Sequence, residues 1–183
     1  MSSEITYPDF NLDIPKIGYI LAVKRGKKDV VGSGIEKVQL QKGYRPQDAC
    51  YTHVEILSGG PDSMRIMPPK SKPINIEKFY RGRYVKILKL EHEDFRIYRY
   101  KIAVLYNMLC NTKYDKMGIL AFLLPFFKQN PKHFFCSEGV TDSIRKVYPE
   151  FLDNIPSDKV FPATIVCSEE VGVYWEGEIP SEY

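Results

Sequence analysis

An α+β fold, with an antiparallel sheet packed against helices, is predicted by three features of this chain. Runs of strand-type composition crowd the first half, and two of them are joined by a glycine-rich hairpin signal. After Asp94 the hydrophobic period lengthens to that of a helix. The 183 residues (21.2 kDa) suffice for one substantial core and fall short of two. Residues 1–183 therefore read as a single domain, with residues 1–16 a polar lead-in.

Each element has its own signal. IGYILAV (17–23) is an apolar run that stops at the basic, glycine-containing KRGKK (24–28), and reads as the first strand. GSGIEKVQLQKG (32–43) has room for a short helix between glycines. ACYTHVEIL (49–57) is rich in β-branched and aromatic residues and is cut off by SGGPDS (58–63). MRIM (64–67) resumes the extended pattern and completes a hairpin before the proline-rich break PPKSKP (68–73). RYVKILKL (83–90) alternates as a further strand. Phe95, Tyr98, Ile102, Leu105 and Leu109 then recur at helical spacing. A later helix has Val140, Ile144 and Val147 on one face and is stopped by Pro149. FPATIVCSEEVGVYWEG (161–177) returns to β-like composition.

The totals exclude several classes. Hydrophobic residues at 44% and charged residues at 27% describe an ordered globular protein, not a disordered or fibrous one. A net charge of +3, from 26 Lys and Arg against 23 Asp and Glu, is too weak a field to draw the whole protein onto nucleic acid. KRGKK reads as a solvated loop. The longest apolar run, MGILAFLLPFF (117–127), is shorter than the ~18 residues of a membrane span and contains Pro125. The first residues, MSSEITYPDFNLDIPK, lack a basic segment followed by an apolar one, so a cytoplasmic location is expected, with other export routes left open. Four scattered cysteines read as free thiols, with Cys50, Cys110 and Cys167 as small buried packing residues.

Cys136 is different. In KHFFCSEG (132–139) it stands where a helix is predicted to open, so unpaired backbone N–H groups and the positive end of the helix dipole would favour its thiolate. The same N–H groups suit an oxyanion developing on a carbonyl under attack. A cysteine nucleophile needs a proton acceptor, and histidine has the right pKa. Of three histidines, His92 in LEHEDF reads as an exposed junction residue and His133 as a flank of the helix. His53 lies mid-strand, where a rigid element can aim its ring, and is the candidate base. Glu55, two residues on, shares a strand face with it and is the candidate orienter.

The order GYILAV, THVEI, YDKMG, FFCSEGV and FPATIVCS resembles the circularly permuted papain-fold hydrolases of the NlpC/P60 superfamily, in particular the YiiX/YebB-like (YaeF-like) group. The resemblance runs from about Ile17 to Ser168. In that family the strand histidine precedes the helix cysteine, and here His53 precedes Cys136 by 83 positions. The resemblance implies a permuted papain-like (NlpC/P60) fold, with an antiparallel sheet or small barrel against helices. It further implies a cysteine amidase or peptidase with Cys136 as nucleophile, His53 as base and no cofactor. Substrates would be peptide amides, including those of peptidoglycan, or acyl lipids; Leu120, Phe122, Leu123 and Phe126 read first as core and, as the alternative, as the lining of an acyl groove. Tyr114 and Asp115 match the family's Tyr-Asp and are expected to support the site. Two departures stand out: Glu55 replaces the usual Gly after the histidine, and Tyr19 replaces the Asp of the first strand. Met67 falls where the family often places a polar orienter.

Two rival readings come from the residues. CYTH and HFFC each pair Cys with His as zinc sites do, but spacing of three along a strand sends Cys50 and His53 to opposite faces. A papain-like scaffold without activity, serving as a binding or structural module, is the other.

Overall fold

The computed structural model describes residues 16–59, 62–114 and 135–181. Six strands form one sheet: β1 (Ile20–Lys24), β2 (Tyr51–Gly59), β3 (Asp62–Arg65), β4 (Lys72–Asn75), β5 (Tyr84–Leu90) and β6 (Val171–Glu178). Their order is β4-β3-β2-β1-β5-β6, and each neighbouring pair is antiparallel. The architecture is α+β, and the sheet is open, so the small-barrel alternative is not adopted. The helices are α1 (Val30–Gln41), α2 (Pro46–Ala49), α3 (Ile76–Phe79), α4 (Phe95–Asn107), α5 (Cys136–Arg145) and α6 (Pro162–Val166), with a 3₁₀ turn at Ser157–Lys159.

β1 is the apolar centre because ILAV buries both of its faces. Ile20 and Ala22 join the helix-side core, with Val54 and Ile56 of β2 and Val140 and Ile144 of α5. Leu21 and Val23 join a second core with Leu57, Ile74, Tyr80, Ile87 and Trp175. Ile74 and Trp175 come from opposite edge strands, so this second core spans the sheet from margin to margin. Full burial of Val140 and Ile144 stabilises the α5 contact by roughly 1.5–3 kcal/mol each.

α1 starts earlier than its glycines predict, because Asp29 caps it: the Gly32 N–H donates to Asp29 Oδ1 at 2.8 Å. Gly32 is required by close approach, since a Cβ there would lie 2.9 Å from Thr52 Oγ1 on β2. Gly139 does the same for α5, where a Cβ would stand 2.4 Å from Ile66 Cδ1. The proline-rich break contains the short β4, and α3 follows it, capped by Asn75, whose Oδ1 accepts from Lys78 N–H at 3.0 Å. The β-like FPATIV stretch is a helix: Pro162 opens it, and the Phe161 N–H donates to Thr164 Oγ1 at 3.1 Å. In α4 the buried positions are Phe95, Ile102, Ala103 and Tyr106, while Tyr98 is exposed. Arg145 closes α5 by donating to Phe151 O at 2.7 Å and Ile155 O at 2.6 Å, pinning the segment that leads to α6.

Candidate active site

β3 pairs with β2 only from Leu57 onward, so among the described residues the stretch of β2 before it has β1 on one side and no strand on the other. α5 packs against β2 at that edge. Cys136 is the first residue of α5, after an extended Phe135 (φ −104°, ψ 169°). The buried Ser137 hydroxyl donates to Val160 O at 2.6 Å, and Glu138 Oε2 accepts the Phe135 N–H at 3.4 Å, so the first turn is tied on two sides. The Cys136 sulfur consequently receives backbone N–H groups from two elements, Ser137 of the helix and Val54 of the strand edge. The Ile56 N–H, on the same edge, faces the Tyr106 hydroxyl.

His53 and Cys136 face each other closely enough for each to shift the other's charge, although 83 residues separate them. On its far side the His53 ring meets Glu55, with Nε2 to Oε2 at 3.0 Å. Nδ1 is then the ring nitrogen left for the sulfur. Tyr80, which ends α3, donates its hydroxyl to the same Glu55 Oε2 at 2.9 Å. All four groups are buried, Glu55 fully and Cys136 to 3% exposure. Glu55 Oε1 has no hydrogen-bond partner among the described residues, so the carboxylate's interactions converge on the oxygen that holds the ring.

Burial opposes charge on both members of the pair, and the partners outweigh it. His53 is pushed up from its ordinary 6.5 to about 9, because desolvation is overcome by the facing sulfur and then by Glu55. Cys136 is held below its ordinary 9.0, because desolvation is overcome by His53 and by the Val54 and Ser137 N–H groups. Burial, then Glu55, pushes the Tyr80 hydroxyl well above its ordinary range, so it remains a donor. The arrangement favours a thiolate–imidazolium pair at neutral pH, with a carboxylate and a phenol fixing the ring.

The three residues singled out from the sequence, Cys136, His53 and Glu55, thus meet at one place. Cys50 does not join them: it caps α2, and its thiol donates to Gln47 O at 3.1 Å. Among the described residues no group of three or more His, Cys, Asp and Glu is placed to hold a metal ion. Cys110 and Cys167 are exposed and Cys50 is half-buried, which corrects their reading as buried packing residues. Cys110 sits in the turn after α4 and Cys167 ends α6, neither of which turns a side chain into the core. His92 is half-buried, its ring 4.1 Å from that of Tyr148. His133, Asp115 and the apolar run 117–127, with Leu120, Phe122, Leu123 and Phe126, lie outside the described residues.

The sequence reading missed Tyr80, Gln39 and an apolar slot. Gln39 is fully buried and ties three elements together: its Nε2 donates to Ala49 O at 2.7 Å and Tyr51 O at 3.1 Å, and its Oε1 accepts the Ala163 N–H at 2.8 Å. The slot opens beside Cys136 and is lined by Ile35, Val38, Tyr114, Phe135, Phe161 and Pro162. Its only sequence signal is the i, i+3 spacing of Ile35 and Val38 on α1. Among the described residues no helix is long and apolar enough to cross a membrane. No family model and no curated protein matches this chain.

Proposed function

We propose that the chain is a cysteine-dependent hydrolase that cleaves an amide or ester through a thioester on Cys136. The observation that carries this reading is the convergence of helix-terminal sulfur, strand imidazole and buried carboxylate beside β2. The thiolate attacks the substrate carbonyl carbon, forming the C–S bond. The oxyanion faces the N–H groups at the start of α5, that of Cys136 included. Collapse breaks the C–N or C–O bond, and His53 gives its proton to the leaving group. His53 then takes a proton from water, which attacks the thioester and releases the carboxylic acid and the free thiol. Glu55, held by Tyr80, keeps Nε2 occupied and Nδ1 aimed at sulfur throughout.

The resemblance to permuted papain-fold enzymes of the NlpC/P60 superfamily supports the same reading, with peptide amides, including those of peptidoglycan, or acyl lipids as substrate classes. A second reading, a binding module on an inactive scaffold, is favoured by the 3% exposure of Cys136. Iodoacetamide separates the two. A catalytic thiolate is carboxamidomethylated within minutes at pH 7, located at Cys136 by mass spectrometry, with parallel loss of amide or ester turnover. An inert Cys136 beside readily labelled Cys110 and Cys167 would leave the binding module standing.

A further inference from the structure

The slot beside Cys136 gives the proposed reaction a substrate class, and the inference rests on Cys136 being the nucleophile. The slot is lined by Ile35 and Val38 on α1, by Phe161 and Pro162 at the start of α6, and by Tyr114, Phe135 and Cys136 itself. The cavity is small, about 20 Å³. That is little above the ~10–15 Å³ that holds one water. The walls are carbon apart from the tyrosine, so a peptide group pushed inside would leave its N–H and C=O without partners. The occupant is therefore hydrocarbon.

Which side of the scissile bond it belongs to follows from the proton. The leaving group departs with a proton from His53, so it must lie toward β2, where His53, Glu55 and Tyr80 are gathered. None of those three residues lines the slot. The acyl side is left to occupy it. The walls are also held at a fixed separation: Gln39, next to Val38, bridges α1 to the Ala163 N–H of α6 and to the backbone entering β2. Tyr44 reinforces this through a 2.6 Å hydrogen bond to Thr164 on α6. A rigid narrow slot selects by width and length.

We infer that the group transferred to Cys136 is a very short aliphatic acyl group, acetyl or propionyl in size, whose tail enters the slot between α1 and α6. Branched, aromatic or charged acyl groups are rejected by the same walls.

The test uses the full chain and p-nitrophenyl acetate, butyrate, octanoate and pivalate, for wild type, Val38→Ala and Ile35→Ala. Each rate is normalised to the iodoacetamide labelling of Cys136 in the same preparation. Wild type should prefer acetate to butyrate, to octanoate and to pivalate in kcat/KM by about tenfold or more. Val38→Ala, which lengthens or widens the slot, should raise butyrate relative to acetate by about tenfold. Ile35→Ala acts in the same direction at a less buried wall and serves if Val38→Ala does not fold. A flat chain-length profile in wild type, or one profile shared by wild type and both variants, overturns the acyl slot while normal labelling leaves the nucleophile intact. Failure of Cys136 to label overturns the nucleophile, and the slot proposal with it.

Discussion

Two histidine–glutamate pairs among the described residues have opposite character. His53 and Glu55 meet at 3.0 Å with their side chains 10% and 0% exposed, whereas His92 and Glu150 meet at 3.5 Å with side chains 35% and 60% exposed. The first ring has a sulfur on its other nitrogen and a carboxylate that a buried phenol also grips. The second rests on Tyr148 and accepts the Asp94 N–H at Nδ1, 3.2 Å away, so it helps close the entry to α4. Proximity of a base and an acid is common to both pairs. Burial and a third, nucleophilic partner separate them. An exposed ion pair of this kind stabilises by roughly 0–1 kcal/mol, because water screens the charges and competes for both groups. In the dry pair, an uncompensated charge would be expensive, so every change of protonation is felt by its partners.

The largest break in the comparison is His53→Ala. It should reduce turnover by about 10²–10⁴-fold, the range of a lost general acid–base, in steady-state assays with an ester substrate. His53 also sets an alkaline limit. Its folded pKa lies above the ordinary value, so the imidazolium persists through neutral pH and is lost as pH rises through about 9. Turnover should fall on that limb, where the leaving group finds no proton. The same sign governs stability: the contribution of the charged ring is complete below its ordinary 6.5 and disappears as pH passes about 9.

Glu55→Gln should move the alkaline limb of the pH–rate profile downward from about 9, because it removes one of the charges that raise the ring, with turnover at neutral pH lowered by roughly ten- to a hundredfold as the ring loses its alignment. An unmoved profile would remove Glu55 from the ring's environment. Tyr80→Phe is the finer probe, because it deletes the donor to Glu55 Oε2 and leaves the His53 contact in place. Chemical denaturation should show a loss of about 1–3 kcal/mol, the cost of a buried acceptor short of one partner, with turnover down only a few-fold. His92→Ala should be the mildest: turnover unchanged, and stability lower by roughly 0.5–1.5 kcal/mol as the stacking on Tyr148 is lost.

Why some of this was legible and some was not is a matter of range. Cys136 at a helix start and His53 and Glu55 two apart on a strand are local facts, fixed by capping and by the two-residue period. Strands around ILAV, YTHVEI and YVKILKL follow from composition alone. FPATIV misled because Thr164, Ile165 and Val166 are β-branched, while Pro162, the Thr164 bond to the Phe161 N–H and the Gln39 bond to the Ala163 N–H make a helix of them. Tyr80 entered the site from the turn after a helix hidden by its proline-rich approach. The carboxylate that meets the His53 ring comes from within β2 itself, at Glu55. The slot joins α1 to α6 across more than a hundred residues, and no local pattern announces such a meeting.

The pH dependence of Cys136 alkylation, compared between wild type and His53→Ala, tests the central claim most directly. Wild type should label rapidly well below pH 9.0, because the imidazolium and two backbone N–H groups hold the sulfur as thiolate, and His53→Ala should shift the labelling midpoint upward. Coincident profiles for the two proteins would contradict the account.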